Sequence, residues 1–375
     1  MTSPNAASDL VVLRPQGLYC PLGDFYIDPW KPVARAIITH AHADHARTGH
    51  GHYLAAQPGL EVLRSRLGAV SLEGLNYGQS IAQNGVKVSL HPAGHVLGSA
   101  QVRLEYQGRV WVVSGDYKTA GVQEGTGDAD PTATPFEPVA CNVFVTESTF
   151  GLPIYRWPTQ QSVYSEINQW WAKNALENKT SLVLAYSFGK AQRILAGLDT
   201  AIGPIFCHGA VENLNAAYRA SGVSLPPTSR LSDESQPARS KREAKAADLG
   251  RAIVLAPPSA AGSPWLRRLS EYSDAFASGW MQVRGARRRQ GLDRGFVLSD
   301  HADWPGLLWA IEQCQAPRVI VTHGQSAPLV RWLRERGLDA QSFETRFGDE
   351  EEGGAAQVAT LPQARMDANA NAASK

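Results

Sequence analysis

The chain has 375 residues, 43% of them hydrophobic and 19% charged, with a formal net charge of +1. That is the make-up of a globular enzyme of one large domain or two, and it leaves any anionic partner to local basic patches rather than to the overall field. Four scattered cysteines (Cys20, Cys141, Cys207, Cys314) form no C-x-x-C and argue against a disulfide framework or a cysteine zinc site. No apolar stretch approaches the ~20 residues of a membrane span. Polar Met1–Asp9 lacks the apolar run of a signal peptide, so a cytoplasmic protein is expected.

Residues 1–10 read as a loose leader. Short strand-like pieces follow, and Phe25–Ile27 runs into Asp28 before Pro29 stops it. An Asp at a strand end is often only a turn residue. The apolar run Ala34–Thr39 reads as a buried strand and ends in His40-Ala41-His42-Ala43-Asp44-His45. Alternate side chains of an extended chain share a face, so His40 and His42 can point at one ion. The chain must then turn, sending Asp44 and His45 elsewhere, which suits two ions better than one. Imidazole and carboxylate are ligands for zinc, with manganese or iron as alternatives. A helix is expected after His45, His50 and His52 in a surface loop, and another helix over Gln57–Leu67.

Val86–Leu90 alternates as a strand and leads to His91-Pro92-Ala93-Gly94-His95-Val96-Leu97-Gly98-Ser99, where the glycines allow tight backbone around His95. His91, before a proline, reads as structural. Val110–Ser114 is an apolar strand ending at Gly115-Asp116-Tyr117, and one carboxylate can bridge two cations. After the Gly/Pro-rich loop Ala120–Pro138, the strand Asn142–Thr146 ends at Glu147-Ser148-Thr149-Phe150-Gly151.

Thr159–Lys173 is expected as a helix capped by Thr159, with its tryptophans in the core. Strand Ser181–Ala185 precedes Tyr186-Ser187-Phe188-Gly189-Lys190, which opens a helix. Free N–H groups, the Ser187 hydroxyl and the Lys190 ammonium would suit a phosphate there, and an exposed lysine is the alternative. Strands at Pro204–Cys207 and Ala252–Ala256 alternate with helices at Val211–Ser221 and from Ser263-Pro264 on. This is the pattern of a small α/β unit with parallel strands. Met281–Arg294 carries Arg284, Arg287, Arg288, Arg289 and Arg294 against one acid, Asp293. It is either a solvated loop or a grip on a DNA backbone. Next come Ser299-Asp300-His301-Ala302-Asp303, with Asp303 capping a helix, and a strand Arg318–Thr322 ending at His323-Gly324. The tail from Asp349 is expected to be disordered.

In this order the His40–His45 cluster, Ala93–Ser99, Gly115-Asp116, Glu147–Gly151, His301 and His323 resemble the motifs of the metallo-β-lactamase fold and of its nucleic-acid-cutting β-CASP branch. The resemblance implies an α/β fold, a metallo-β-lactamase αββα sandwich with an inserted small α/β β-CASP cap. Its parts would be residues 10–160, a cap at 161–292, a return segment at 293–347 and a disordered tail at 348–375. It implies two divalent ions, zinc or manganese. His40, His42, His95 and Asp116 would hold the first, and Asp44, His45, Asp116 and His323 the second. Asp28 would orient a ligating imidazole from behind. His301, paired with Glu147, would steady the scissile phosphate or protonate the leaving oxygen.

The Ser278–Arg289 stretch and the short cap resemble bacterial ligase-associated DNA exonucleases, and Ser187–Lys190 resembles the S-x-G-K stretch of Artemis-like nucleases. This implies DNA (single strands or duplex ends) as substrate, cutting from a 5′-phosphate towards 3′, a DNA ligase and a helicase as partners, and no membrane. One rival is a β-CASP ribonuclease of the RNase J or mRNA 3′-end-processing type, to which the H-A-D at His301 is also similar. Another is a non-catalytic DNA-repair scaffold.

Overall fold

The computed structural model describes residues 9–120, 122, 130–231, 246–269, 271–283 and 291–347. The first sheet is built in chain order from β1 (Val12–Arg14), β2 (Gly17–Cys20), β3 (Phe25–Ile27), β4 (Arg35–Ile38), β5 (His52–Ala56) and β6 (Leu72–Leu75), with α1 (Leu60–Leu67) crossing between the last two. The β1–β3 pairings are antiparallel and those from β3 to β6 parallel. β7 (Ser80–Gln83), β8 (Val86–Pro92), β9 (Ala100–Tyr106) and β10 (Arg109–Val113) form an antiparallel meander, and β11 (Val143–Ser148) joins β10 in parallel.

The chain then leaves this body through α2 (Gln160–Leu176) into a third sheet. Its strands are β12 (Thr180–Leu184), β13 (Ile205–Cys207), β14 (Ser229–Arg230), β15 (Ile253–Ala256), β16 (Tyr272–Ala277) and β17 (Arg294–Phe296), in the order β14-β13-β15-β12-β16-β17. Every pairing is parallel. The last strand lies beyond residue 292. Helices α3 (Lys190–Ala196) and α4 (Gly209–Ala220) follow β12 and β13. The chain returns with α5 (Trp304–Gln313), β18 (Arg318–Gly324), α6 (Ser326–Glu335) and β19 (Asp339–Ser342), completing the second sheet as β19-β18-β11-β10-β9-β8-β7.

The first two sheets pack face to face. Leu18, Phe25, Ile27, Ile37 and Leu54 of one meet Val88, Val102, Trp111, Val145 and Ile320 of the other. Their outer faces are covered by helices. Leu60 and Leu63 of α1 pack on Ile38 and Tyr53. Leu307, Ile311, Leu329 and Leu333 of α5 and α6 pack on Val112, Phe144 and Val321. Burial on both faces explains why β11 and β18 read as unbroken apolar runs. The third sheet has its own core, with Trp170, Trp171, Ile194 and Leu195 on one face, and Leu249, Leu269 and Met281 on the other.

Caps at Thr159, which accepts from the Ser162 N–H, and Asp303, which accepts from the Gly306 N–H, start α2 and α5 as expected. Two expected helices are absent. After His45 only turns form, with one helix-type bond from Ala46 N–H to the His42 carbonyl before Gly49 takes φ +95°. At Ser263 the hydroxyl donates back to the Ala260 carbonyl instead of capping, and Pro264–Arg268 make only a 3-10 turn. Among the described residues no helix is long and apolar enough to cross a membrane.

Candidate metal centre

β4, β8, β10, β11 and β18 all run towards one end of the sandwich, and the loops there carry the motif residues. Two glycines permit the convergence. Gly94 (φ +75°) lies where a Cβ would come within 2.2 Å of the Lys118 carbonyl oxygen, and at Gly115 (φ +58°) a Cβ would sit 2.7 Å from Thr39. These are conformations only glycine adopts cheaply.

One nitrogen or oxygen each from His40, His42, His95 and Asp116 lie within 4.8 Å of one another, as do those of His45, Asp116 and His323. Asp116 belongs to both groups. Its Oδ2 is 3.4 Å from Nε2 of both His40 and His45, and its Oδ1 is 3.1 Å from His323 Nε2. Half-buried Asp44 stands beside the second group, with Oδ2 3.5 Å from His45 Nε2.

The outward ring nitrogens are tied down. His40 Nδ1 lies 3.0 Å from the Thr39 hydroxyl, and His323 Nδ1 lies 2.9 Å from the Thr322 hydroxyl. His95 Nδ1 is 2.8 Å from the Asp300 carbonyl, and His45 Nδ1 is 2.7 Å from Asp28 Oδ2. His42 is turned the other way, with Nε2 at the Phe188 carbonyl and Nδ1 3.0 Å from His95 Nε2. The atoms left inward include His40 Nε2 and His45 Nε2, both buried without a hydrogen-bond partner. Burying polar atoms unpaired is costly, and a divalent cation is what this donor set fits.

Asp28 is buried with φ +43°, a sparsely used conformation for a non-glycine residue. Its oxygens accept the Thr39 N–H at 2.8 Å and hydroxyl at 2.5 Å besides holding His45. Both its oxygens are thus engaged, by Thr39 and by His45.

Burial, helped by the neighbouring imidazoles, pushes His40 and His95 well below the ordinary histidine range, which keeps both rings neutral. Burial acts the same way on His45, but the Asp44, Asp116 and Asp28 carboxylates outweigh it and hold that imidazole well above its usual value. For Asp116 burial is again opposed, here by His45, His323 and His40, and the carboxyl sits well below the usual carboxylate range. The second group thus carries excess negative charge, which a cation would neutralise in place of protons. Accordingly, zinc or manganese at a hundred times its dissociation constant is expected to stabilise metal-depleted protein by about 2.7 kcal/mol. A melting curve that rises with the ion and falls back with a chelator checks this.

Glu147 and His301 form a buried pair beside the centre. His301 Nδ1 is 2.9 and 3.0 Å from the two Glu147 oxygens, which also accept the N–H groups of Tyr117 (2.8 Å) and Thr149 (3.3 Å). The His301 ring is 4.6 Å from that of His95.

The expected phosphate contact of Lys190 is not what the geometry offers. Lys190 is fully buried, with Nζ 3.8 Å from Asp300 Oδ2, while Ser187 is half-buried. Arg284, Arg287, Arg288 and Arg289 lie outside the described residues. Two features were not anticipated. Buried Arg193 of α3 binds Asp130 at 2.6 Å, Asp300 at 3.4 Å and the carbonyls of His95 and Ser299 at 2.8 and 3.0 Å. Phe347 stacks on the His45 ring at 4.5 Å and 8°. Neither leaves a spacing signal, since each acts through a contact distant in sequence.

The class of molecule so defined is an αββα sandwich with a His/Asp cluster, fit for divalent cations and sharing one carboxylate, at its strand ends. No family model matches the chain. Of curated proteins, one named "Probable DNA ligase" from Opitutus terrae is 32% identical over 329 residues, covering 86% of this chain and 30% of that protein. Cleavage and polyadenylation specificity factor subunit 3 of Dictyostelium discoideum is 29% identical over 130 residues (34% of this chain, 16% of that protein). An RNase J-like protein of Methanocaldococcus jannaschii is 26% identical over 158 residues (40% and 36%). The chain thus matches between 16% and 36% of the length of these relatives. A crystal structure of a protein of unknown function from Enterococcus faecalis V583 shares the fold at a TM-score of 0.57 and 12% identity, over 84% of this chain and 80% of that one. The chain belongs to the metallo-β-lactamase/β-CASP family.

Proposed function

We propose that the chain is a metal-dependent DNA exonuclease that hydrolyses phosphodiester bonds from a 5′-phosphate towards 3′ in DNA repair. The observation that carries the hydrolase reading is Asp116, whose carboxylate serves both histidine groups beside the Glu147–His301 pair, with Oδ2 near His40 and His45 and Oδ1 near His323. On this reading two divalent ions, zinc or manganese, take His40, His42, His95 and Asp116, and Asp44, His45, Asp116 and His323. Bound there, they would supply Lewis acidity towards the scissile phosphate and ease the loss of a proton from the attacking water. Asp28 and Thr39 keep the His45 and His40 rings aimed inward. Glu147 fixes the His301 ring through Nδ1, so that its Nε2 edge can steady the phosphate or give a proton to the leaving oxygen. The third sheet, within residues 161–292 and its closing strand, serves as the β-CASP cap, and 10–160 and 293–347 form the catalytic body. Ser187 and the Arg284–Arg289 run are assigned to the DNA backbone. A cytoplasmic setting fits this role.

The name and length of the Opitutus relative support a DNA ligase as partner, since its matched segment is 30% of a protein called a ligase. A helicase follows only from the sequence resemblance. A ribonuclease is the second reading, favoured by the "Endoribonuclease YSH1" of Saccharomyces cerevisiae, 27% identical over 128 residues.

Matched DNA and RNA strands, labelled at either end, separate these readings when digested with manganese or zinc beside Asp44→Ala. The expected result is mononucleotides from a 5′-phosphorylated DNA end, lost in the variant. Preferential cutting of RNA would move the chain to the ribonuclease reading, and no metal-dependent cleavage would leave a binding scaffold.

A further inference from the structure

The third sheet is wholly parallel, so its strands all end on one edge. At β12 and β16 that edge abuts the metal centre. The Phe188 carbonyl, in the loop after β12, is 3.4 Å from His42 Nε2. Trp280, after β16, packs 5.0 Å from Phe150, whose ring is 6.1 Å from that of His301.

The same edge continues away from the centre through β15, β13 and β14, and there it carries a cluster that hydrolysis does not use. His208 follows β13, Trp265 and Arg268 follow β15, and Arg230 ends β14. The His208 and Trp265 rings are 4.9 Å apart at 68°. The Arg268 guanidinium lies 5.9 Å from the Trp265 ring centre. The exposed Arg230 lays its guanidinium across Gly209, where a Cβ would be 2.3 Å from its terminal nitrogen. Trp265 packs partly on the sheet's core and remains half-exposed. Arg230 and Arg268 both lie near His208 and, after burial, push its imidazole down.

We propose that Arg230, Arg268 and Trp265 form a docking surface for the nucleic-acid strand that extends from the metal centre, the arginines holding phosphates and the tryptophan stacking a base. Three features select this partner. In a chain of net charge +1, two guanidinium groups gather around His208, whose ring packs on the half-exposed Trp265, and cations beside an aromatic are the combination by which single strands are held without reading sequence. The surface is continuous with the edge that meets the centre. Three strand spacings separate β12 from β14, about 14 Å at roughly 4.8 Å each, the span of some four stacked nucleotides at about 3.4 Å apiece. The inference rests on the nuclease reading, for DNA or RNA alike.

The test is strand length. Binding of fluorescent trinucleotides and 12-mers, as DNA and as RNA, is measured by anisotropy with the full chain in chelator. Variants are Arg230→Ala, Arg268→Ala, Trp265→Ala and Trp265→Phe, with Arg331→Ala, an exposed arginine on α6 paired to Glu335, as the charge control. Melting curves confirm that each folds. Arg230→Ala and Trp265→Ala are each expected to weaken 12-mer binding about tenfold, and trinucleotide binding less than twofold. Trp265→Phe should recover most of the loss. Removing one phosphate contact should also lower the slope of log affinity against log salt by about 0.7. Equal losses on both lengths, no loss at all, or the same loss from Arg331→Ala would overturn the docking surface. A wild-type chain that binds neither length would overturn the nuclease reading, and this one with it.

Discussion

Asp116→Asn is expected to strip the protein of bound metal and to lower phosphodiester hydrolysis by about three orders of magnitude. Its carboxylate is the one group common to both clusters, with Oδ2 3.4 Å from His40 and His45 and Oδ1 3.1 Å from His323. Asparagine keeps the shape and one oxygen but removes the charge that balances the cations and the second anionic oxygen that would face the second ion. Metal ions supply several kcal/mol of charge stabilisation in such a displacement, and at about 1.36 kcal/mol per decade that is on the order of 10³-fold. Asp28→Asn makes the contrast. It leaves all the proposed ligands in place and disturbs the orientation of His45 and, through Thr39, of His40, a change typically costing about 10- to 100-fold. Metal content by atomic emission, measured beside hydrolysis for both variants, checks the ordering. If Asp116→Asn keeps its metal and its activity, the shared-carboxylate centre is wrong.

Most of this centre was legible in the sequence because its ligands sit at strand ends next to glycine or in one six-residue cluster. His40–His45, Gly94-His95, Gly115-Asp116 and His323-Gly324 each mark a loop by local chemistry alone. The parallel third sheet was legible for the same reason, from apolar runs separated by helices. What escaped was whatever depends on a partner far along the chain. Lys190 sits at a helix start beside glycine, the local signature of a phosphate site, yet its ammonium is turned inward to Asp300, 110 positions away. The absent helix after His45 has a similar cause. Gly49 and Gly51 already disfavour a helix there, and His42 and His45 are drawn to groups on other elements, Phe188 and Asp28 among them. Phe347 shows no motif at all, and only the folded chain lays it on His45.

Arg193→Met is expected to destabilise the metal-free protein by about 3–5 kcal/mol, the usual cost of breaking a buried ion pair by removing one partner. Arg193 is fully buried, and the third sheet's helix α3 reaches the two-sheet body through it. Its guanidinium meets Asp130 at 2.6 Å and Asp300 at 3.4 Å, and donates to the His95 and Ser299 carbonyls at 2.8 and 3.0 Å. Methionine fills much of the volume but leaves two carboxylates and two carbonyls short of a partner, with Lys190 at 3.8 Å as a remaining cation for Asp300. Arg193→Lys should fall between, because it keeps the charge and loses the fork.

The sign with pH is fixed by Asp300. Burial works to raise its carboxyl, but Arg193 first, then Lys190 and Lys118, hold it below the usual carboxylate range. A depressed native pKa contributes stability that is complete above the unfolded value of about 3.9 and fades as pH falls through the lower native one. The gap between wild type and Arg193→Met should therefore be widest near neutrality and narrow as the solution becomes acid. Urea unfolding of metal-free protein at neutral pH and in steps that continue below about pH 3.9 measures it. A gap under about 1 kcal/mol at neutral pH, near the typical value for an exposed pair, would mean that water reaches this cluster. A large gap would instead tie the third sheet's placement to the metal centre, since the Asp300 carbonyl that Arg193 helps to position is the one holding His95 at 2.8 Å.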